Sequence, residues 1–181
     1  ISSAGDVDGD GRDDLAVGAY KAGHGAQSGA AFVFYATTML AGDVSADLAD
    51  LHFTSSVERH LLGTSVEGAL DLDGDGRSEL VLSAPGLGPP TLEELEPEDV
   101  PEGLDSPGDV YLFWGSDLAS GTYDVSDAPI HIEGSARHEH AGISVSSAGD
   151  VDGDGADDLL IGTERGQMDV GRAYLLIGLQ P

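Results

Sequence analysis

One acidic phrase occurs three times in this chain, and no other feature limits its fold so tightly. The copies are Asp6-Val-Asp8-Gly-Asp10-Gly-Arg12-Asp-Asp14, Asp71-Leu-Asp73-Gly-Asp75-Gly-Arg77-Ser-Glu79 and Asp150-Val-Asp152-Gly-Asp154-Gly-Ala156-Asp-Asp158. Around the first and third the identity extends further, since residues 2–11 read the same as residues 146–155. Such self-similarity marks a repeat architecture, in which each unit buries its apolar faces only by stacking on its neighbours.

Spacing aligns the units. The copies start 65 and then 79 residues apart, and the extra 14 residues fall between Glu79 and Gly108. After each phrase comes an apolar run (15–17, 80–82, 159–161), then a Gly-led aromatic run (29–35, 108–114, 171–177). The interval from Gly29 to Asp71 equals that from Gly108 to Asp150, so residues 51–53 match 130–132 and residues 63–66 match 142–145. Each full unit thus offers four runs of strand length, bounded by Gly, Pro, Asp and Ser, with no helical period between them. The run after the phrase is almost continuously apolar, as a strand covered on both faces requires. The expected fold is all-β: blades of a β-propeller, each a four-stranded antiparallel sheet, with about three blades of a larger propeller present. Residues 1–57 form the first blade with its first strand truncated, 58–136 the second with an acidic insertion at 86–107, and 137–181 the third without its outer strand. Ile1 aligns with Val145, and the third unit stops short of a counterpart to residues 51–53. These 181 residues are therefore expected to belong to a longer polypeptide, or to have neighbouring copies covering their open blade edges.

The phrase itself reads as a metal loop. Calcium takes about 6–8 hard oxygen ligands, and carboxylates at alternate positions fold inward around one point. Positions 1, 3 and 5 are Asp in every copy, and glycine at position 6 permits the sharp turn that returns the later ligands. Position 7 is expected to bind through its carbonyl, which tolerates Arg12, Arg77 and Ala156 alike, and position 9 closes the shell with Asp14, Glu79 or Asp158. Three calcium ions are expected, on Asp6, Asp8, Asp10, Arg12 and Asp14, on Asp71, Asp73, Asp75, Arg77 and Glu79, and on Asp150, Asp152, Asp154, Ala156 and Asp158. An EF-hand needs a bidentate Glu at position 12, where this chain has Val17, Leu82 and Ile161 within apolar runs. Hairpin chemistry alone explains one Asp-Gly pair. It does not explain four carboxylates gathered at fixed spacing in all three copies. Magnesium suits an all-protein cage less well, because it keeps more of its water.

Composition agrees. Against 34 Asp and Glu stand 7 Lys and Arg, a formal net charge of -27. Such a surface repels nucleic acid and calls for cations to relieve its self-repulsion. No apolar run approaches the roughly 18 residues of a membrane-spanning helix, so no membrane insertion is expected.

The order Gly-x-Ser-Val, the acidic phrase, an apolar strand running into Ser83-Ala84-Pro85, and then Gly108-Asp-Val-Tyr-Leu-Phe resembles the FG-GAP repeat of integrin alpha-subunit propellers and their bacterial relatives. The resemblance covers essentially the whole chain. It implies a propeller of seven blades, calcium in the loop between the first and second strands, and a role in adhesion or ligand recognition outside the cell, with partners bound on the face opposite the calcium. The family's Phe-Gly is Leu62-Gly63 and Ala141-Gly142 here, and its Gly-Ala-Pro is Gly18-Ala19-Tyr20 and Gly162-Thr163-Glu164 in the outer units.

Other features favour structure over chemistry. His138-Glu139-His140 lacks the spacing of a zinc helix and reads as a surface loop, with His60 nearly equivalent. His52 and His131 occupy matching strand positions and read as structural. Residues 63–67 begin like a nucleophile elbow but lack its last glycine. Phe32, Phe34, Tyr35, Tyr111, Phe113 and Trp114 recur at one place in the unit, as a shared packing layer does. The insertion, with Glu93, Glu94, Glu96, Glu98, Asp99, Glu102 and Asp105, reads as a solvated loop on the face opposite the metal loops. The chain is expected to be a non-catalytic, secreted or cell-surface calcium-binding module with a protein or glycan ligand. The alternatives are an accessory propeller of a secreted hydrolase or lyase and an architectural subunit of a surface fibre or envelope.

Overall fold

The computed structural model describes residues 1–23, 27–36, 42–86, 106–164 and 170–178, and these form three sheets with short 3-10 turns as the only helix. The first sheet holds β1 (Ser2–Gly5), β2 (Asp14–Gly18), β3 (Ala30–Phe34) and β4 (Leu51–Thr54), each antiparallel to the one before. Along the second run β5 (Val66–Glu67), β6 (Leu80–Ala84), β7 (Asp109–Phe113) and β9 (Ile130–Glu133), and β10 (Ser144–Gly149), β11 (Asp158–Gly162) and β12 (Ala173–Leu176) make the third. Consecutive strands joined in this up-and-down order are propeller blades, and among the described residues they do not close into a ring.

The strand that follows each acidic phrase explains how the blades stack. All five residues of β6 are buried. Leu80 and Leu82 pack toward the first sheet, in a core with Ala16, Val33, Leu51, Phe53, Tyr111 and Phe113. Val81, one residue out of phase, packs with Val110, Leu112, Leu159 and Ile161 toward the third. Alternation along a strand therefore feeds two different inter-blade cores, and each fully buried Leu contributes about 1.5–3 kcal/mol. Most of the recurring aromatics enter these cores: Tyr35, Tyr111 and Phe113 are buried in the first and Trp114 packs against the second.

Close backbone approach holds the blades in register. Gly29 and Gly108 occupy the same place ahead of the third strand, with φ of +82° and +86°. A Cβ on either would lie 2.2 Å from backbone of the linker that enters the next blade, at Leu62 O or Ala141 N. Only glycine fits there. The linkers share a further trait: Arg59 and Leu61 have positive φ, and so do His138 and His140 at the equivalent positions.

One strand departs from the expected four per sheet. β8 (Gly121–Asp124), in the segment joining β7 to β9, pairs in parallel with β4 and gives the first sheet a fifth strand. Asp50 O accepts the Gly121 N–H at 2.9 Å, and the Tyr123 ring stacks on Phe53 at 5.5 Å. Residues 42–45, which match β8 in the first unit, form no strand. The insertion expected at 86–107 lies outside the described residues except at its ends. Those ends, Gly86 and residues 106–107, adjoin the opposite end of β6 from Glu79.

Candidate metal centre

All three acidic phrases lie in the hairpin loop between the first and second strands of a blade: β1 to β2, β5 to β6, and β10 to β11. In the first and third loops the entry is a bulge, where Gly5 (φ +63°) and Gly149 (φ +66°) shift the register and turn the chain out of the sheet.

Within the loops one hydrogen-bond pattern recurs. The position 5 N–H donates to the position 3 carboxylate (Asp10 to Asp8, Asp75 to Asp73, Asp154 to Asp152) at 3.0–3.1 Å. The position 7 N–H donates to the position 5 carboxylate (Arg12 to Asp10, Arg77 to Asp75, Ala156 to Asp154) at 2.8–2.9 Å. The position 6 glycine donates across the loop to position 1, from Gly11 to Asp6, Gly76 to Asp71 and Gly155 to Asp150, at 2.9–3.0 Å. Each Asp thus spends an oxygen on curling its own loop, and the curl draws the side chains together.

The convergence differs between copies. Asp6, Asp8 and Asp10 bring carboxylate oxygens within 4.8 Å of one another in the first loop; Asp71, Asp73 and Glu79 do so in the second, and Asp150, Asp152 and Asp158 in the third. Position 9 therefore joins in two copies and position 5 in one. Asp14 accepts the Val7 N–H on Oδ2 and the Ala36 N–H on Oδ1. Asp158 is held in the same way by Val151 and Gly178. Position 7 varies in its surroundings, with Arg12 exposed, Ala156 fully buried, and Arg77 laid so close over the first loop that a Cβ on Gly9 would come 2.9 Å from its Cζ.

These loops hold buried negative charge. Asp6 Oδ1, Asp71 Oδ1 and Glu79 Oε1 are buried without a hydrogen-bond partner of normal geometry, and such an oxygen costs about 1–3 kcal/mol or more. Burial, partly offset by the Leu72 N–H and reinforced by the Asp73 and Asp71 charges, pushes Glu79 up to about 7. Burial also raises Asp14, against the Ala36 N–H and together with the Asp8 charge. Hard oxygen donors, crowded and short of partners, are the donor set a divalent cation of the calcium type satisfies.

The histidine loops differ from the expected surface. His60 is 4% exposed: its Nδ1 lies 2.6 Å from Ser55 Oγ and its Nε2 3.1 Å from Asp109 Oδ2, while His131 Nε2 reaches Asp109 Oδ1 at 2.6 Å. Burial alone would raise the Asp109 carboxyl, but the bonds from the two histidines outweigh it and hold it below its usual range. Ser55 also accepts the Val57 N–H, so this Ser-His-Asp chain works as a clasp between the end of the first blade and the second. Glu139, also expected at the surface, is fully buried, where it accepts from the Ser135 and Ala136 N–H groups and the Tyr174 hydroxyl. His52 does bond a backbone carbonyl, that of Ala49. Ser65 Oγ accepts the Val145 N–H of the next blade, a structural use of a residue set in an elbow-like sequence.

Blades in meander order, each carrying an acidic loop at the same hairpin, define a propeller repeat of the integrin type. The FG-GAP repeat family model matches residues 1–34, 62–113 and 141–176, more than half of the sequence. The chain belongs to the FG-GAP repeat family. It is also 36% identical over 87 residues to integrin alpha-5 of Xenopus laevis, a match covering 48% of this chain and 8% of that protein. Among the described residues no helix is long and apolar enough to cross a membrane.

Proposed function

We propose that the chain is a calcium-binding, non-catalytic propeller module that works outside the cell or on its surface in adhesion or ligand recognition. The observation that carries this reading is the threefold convergence of carboxylates, with buried oxygens left unpaired in the first and second loops. Asp6, Asp8, Asp10 and Asp14, Asp71, Asp73, Asp75 and Glu79, and Asp150, Asp152, Asp154 and Asp158 would hold the three ions, with the carbonyls of Arg12, Arg77 and Ala156. The ion supplies charge neutralisation at the blade ends. Calcium is preferred because the loops offer many protein oxygens, whereas magnesium keeps more of its water, and extracellular modules work at about 10⁻⁴–10⁻³ M affinity. The likeness to an integrin alpha subunit supports the location and the adhesive role.

The partner is a protein or glycan, and a further blade of the same repeat covers the open face of the first sheet. That face holds a groove of about 420 Å³ lined by Leu15, Val17, Phe32, Phe34 and Val44. Repeat alignment puts Leu80, Leu82, Tyr111 and Phe113 at the first four of these positions, and those four pack against the preceding blade. Such a blade comes from a longer chain or from a neighbouring copy.

Calorimetric titration with calcium, paired with melting in EDTA, tests the metal reading. Three ions per chain and a higher melting temperature with calcium are expected. Asp152→Ala should lose one ion, while Asp13→Ala, exposed and outside the ligand set, should lose none. Absence of both calcium heat and a melting shift would refute the proposal.

A further inference from the structure

The three acidic loops touch one another in sequence, and the contact is made by position 8, which is not among the expected ligands. Asp157, at position 8 of the third loop, donates its N–H to Asp71 O at 2.8 Å and accepts the Asp71 N–H on Oδ2 at 3.1 Å. The peptide of Asp71 is clamped on both sides by one residue of the neighbouring blade. Asp71 opens the second loop, with one carboxylate oxygen taken by Gly76 and the other buried and unpaired. Asp157 stands between Ala156 and Asp158, both proposed ligands of the third loop. Ordering either loop therefore orders the same pair of peptides.

The first and second loops make a weaker version of this contact. Ser78, again position 8, donates its N–H to Asp6 O at 3.2 Å. Its hydroxyl covers the entry to the first loop, where a Cβ on Gly5 would come 2.0 Å from Ser78 Oγ. No side-chain acceptor on Ser78 answers the Asp6 N–H as Asp157 answers that of Asp71. Asp13, the same position in the first loop, is exposed.

We infer that the metal loops are energetically coupled, with the second and third binding cooperatively through Asp157 and the first joined to them more weakly through Ser78. This rests on the calcium reading above. Fixing one backbone residue costs about 1–2 kcal/mol, and an ion that orders the Asp71–Asp157 pair spares the next ion that cost. Coupling of this kind is reciprocal: each site must raise the affinity of the other by the same factor. A factor of about fivefold is expected between the second and third sites. Across the single bond between the first and second it falls to about twofold. Asp157 is a positioning residue for the second site although it belongs to the third loop.

Calcium titration of the whole chain, followed by peptide-resolved hydrogen exchange, reads each loop separately. Asp152→Ala, which disables the third site, should raise the calcium midpoint of the second loop about fivefold, and Asp73→Ala should do the same to the third. Asp157→Ala should raise the second-loop midpoint and abolish its dependence on Asp152. Asp157→Asn keeps an acceptor oxygen and should restore most of the coupling, which a variant acting only by loss of charge would not do. Exchange in β6 and β7 checks that the variants remain folded. A second-loop midpoint unmoved by Asp152→Ala, or equal effects of the Ala and Asn variants, overturns the coupling and leaves three independent calcium sites. No calcium-dependent protection in any loop of the parent protein overturns the metal reading, and the coupling with it.

Discussion

Glu79 should make the metal-free protein prefer acid. Its side chain is 1% exposed, one oxygen accepts the Leu72 N–H at 2.6 Å, and the Gly115 N–H adds a weaker contact to the carboxylate. Burial is the main cause that lifts its carboxyl to about 7 from an ordinary 4.5. The folded value lies above the unfolded one, so its stabilising effect is whole below about pH 4.5 and is lost as pH climbs through about 7. At about 1.4 kcal/mol per pH unit, the full effect is about 3 kcal/mol, of which about 2–3 kcal/mol disappears between about pH 5 and about pH 8. Glu79→Gln fixes this position in a neutral form of nearly the same shape. Urea unfolding in EDTA should show the Gln variant gaining about 2–3 kcal/mol on the parent between those two pH values. Saturating calcium at about pH 8 should reverse the order, because the ion takes the place of the proton on the parent carboxylate and Gln gives it no charge. A stability difference that stays constant to within about 0.5 kcal/mol across that range in EDTA refutes the argument from burial.

Two further perturbations probe the joins between blades. Phe53→Leu and Tyr123→Leu, made singly and together, should show a coupling of about 0.5–1.5 kcal/mol by denaturant unfolding, because the two rings stack across β4 and β8; additive effects would mean the ring stacking contributes nothing. Asp109→Ala removes the acceptor shared by His60 and His131. It should cost about 1–3 kcal/mol near neutral pH, and less at a pH low enough to protonate Asp109, whose stabilising effect is lost as pH falls through its lowered carboxyl value. An unchanged unfolding midpoint near neutral pH would show that the clasp is idle.

Blade strands were legible because their signal is local and repeated. Residues 80–82 announce a strand covered on both faces by being apolar without alternation, and the structure buries all three. The loops were legible because a carboxylate at every second position has few other uses. What stayed hidden depends on where one blade sits against another. Gly121-Thr122-Tyr123-Asp124 is short, partly exposed and mostly polar, and its partner lies in a different unit, so nothing local marks it as a strand. Asp157 stands outside the expected ligand set, and its hold on the Asp71 peptide emerges only once the second loop is placed beside it. Glu139 reads as surface because it sits between two histidines in a loop; its partners, Ser135, Ala136 and Tyr174, come from the linker itself and from β12.

The lent strand β8 changes what counts as one removable piece of this molecule. By sequence the repeat is contiguous, but the first sheet owns four residues that lie between β7 and β9 of the second. Excising residues 58–136 as a unit would strip that sheet of its outermost strand and bare the ring of Phe53. Keeping β8 without its flanks would leave the second sheet cut between its third and fourth strands. No single splice separates the two sheets intact, so a graft of the first blade onto another scaffold must bring a surrogate for Tyr123.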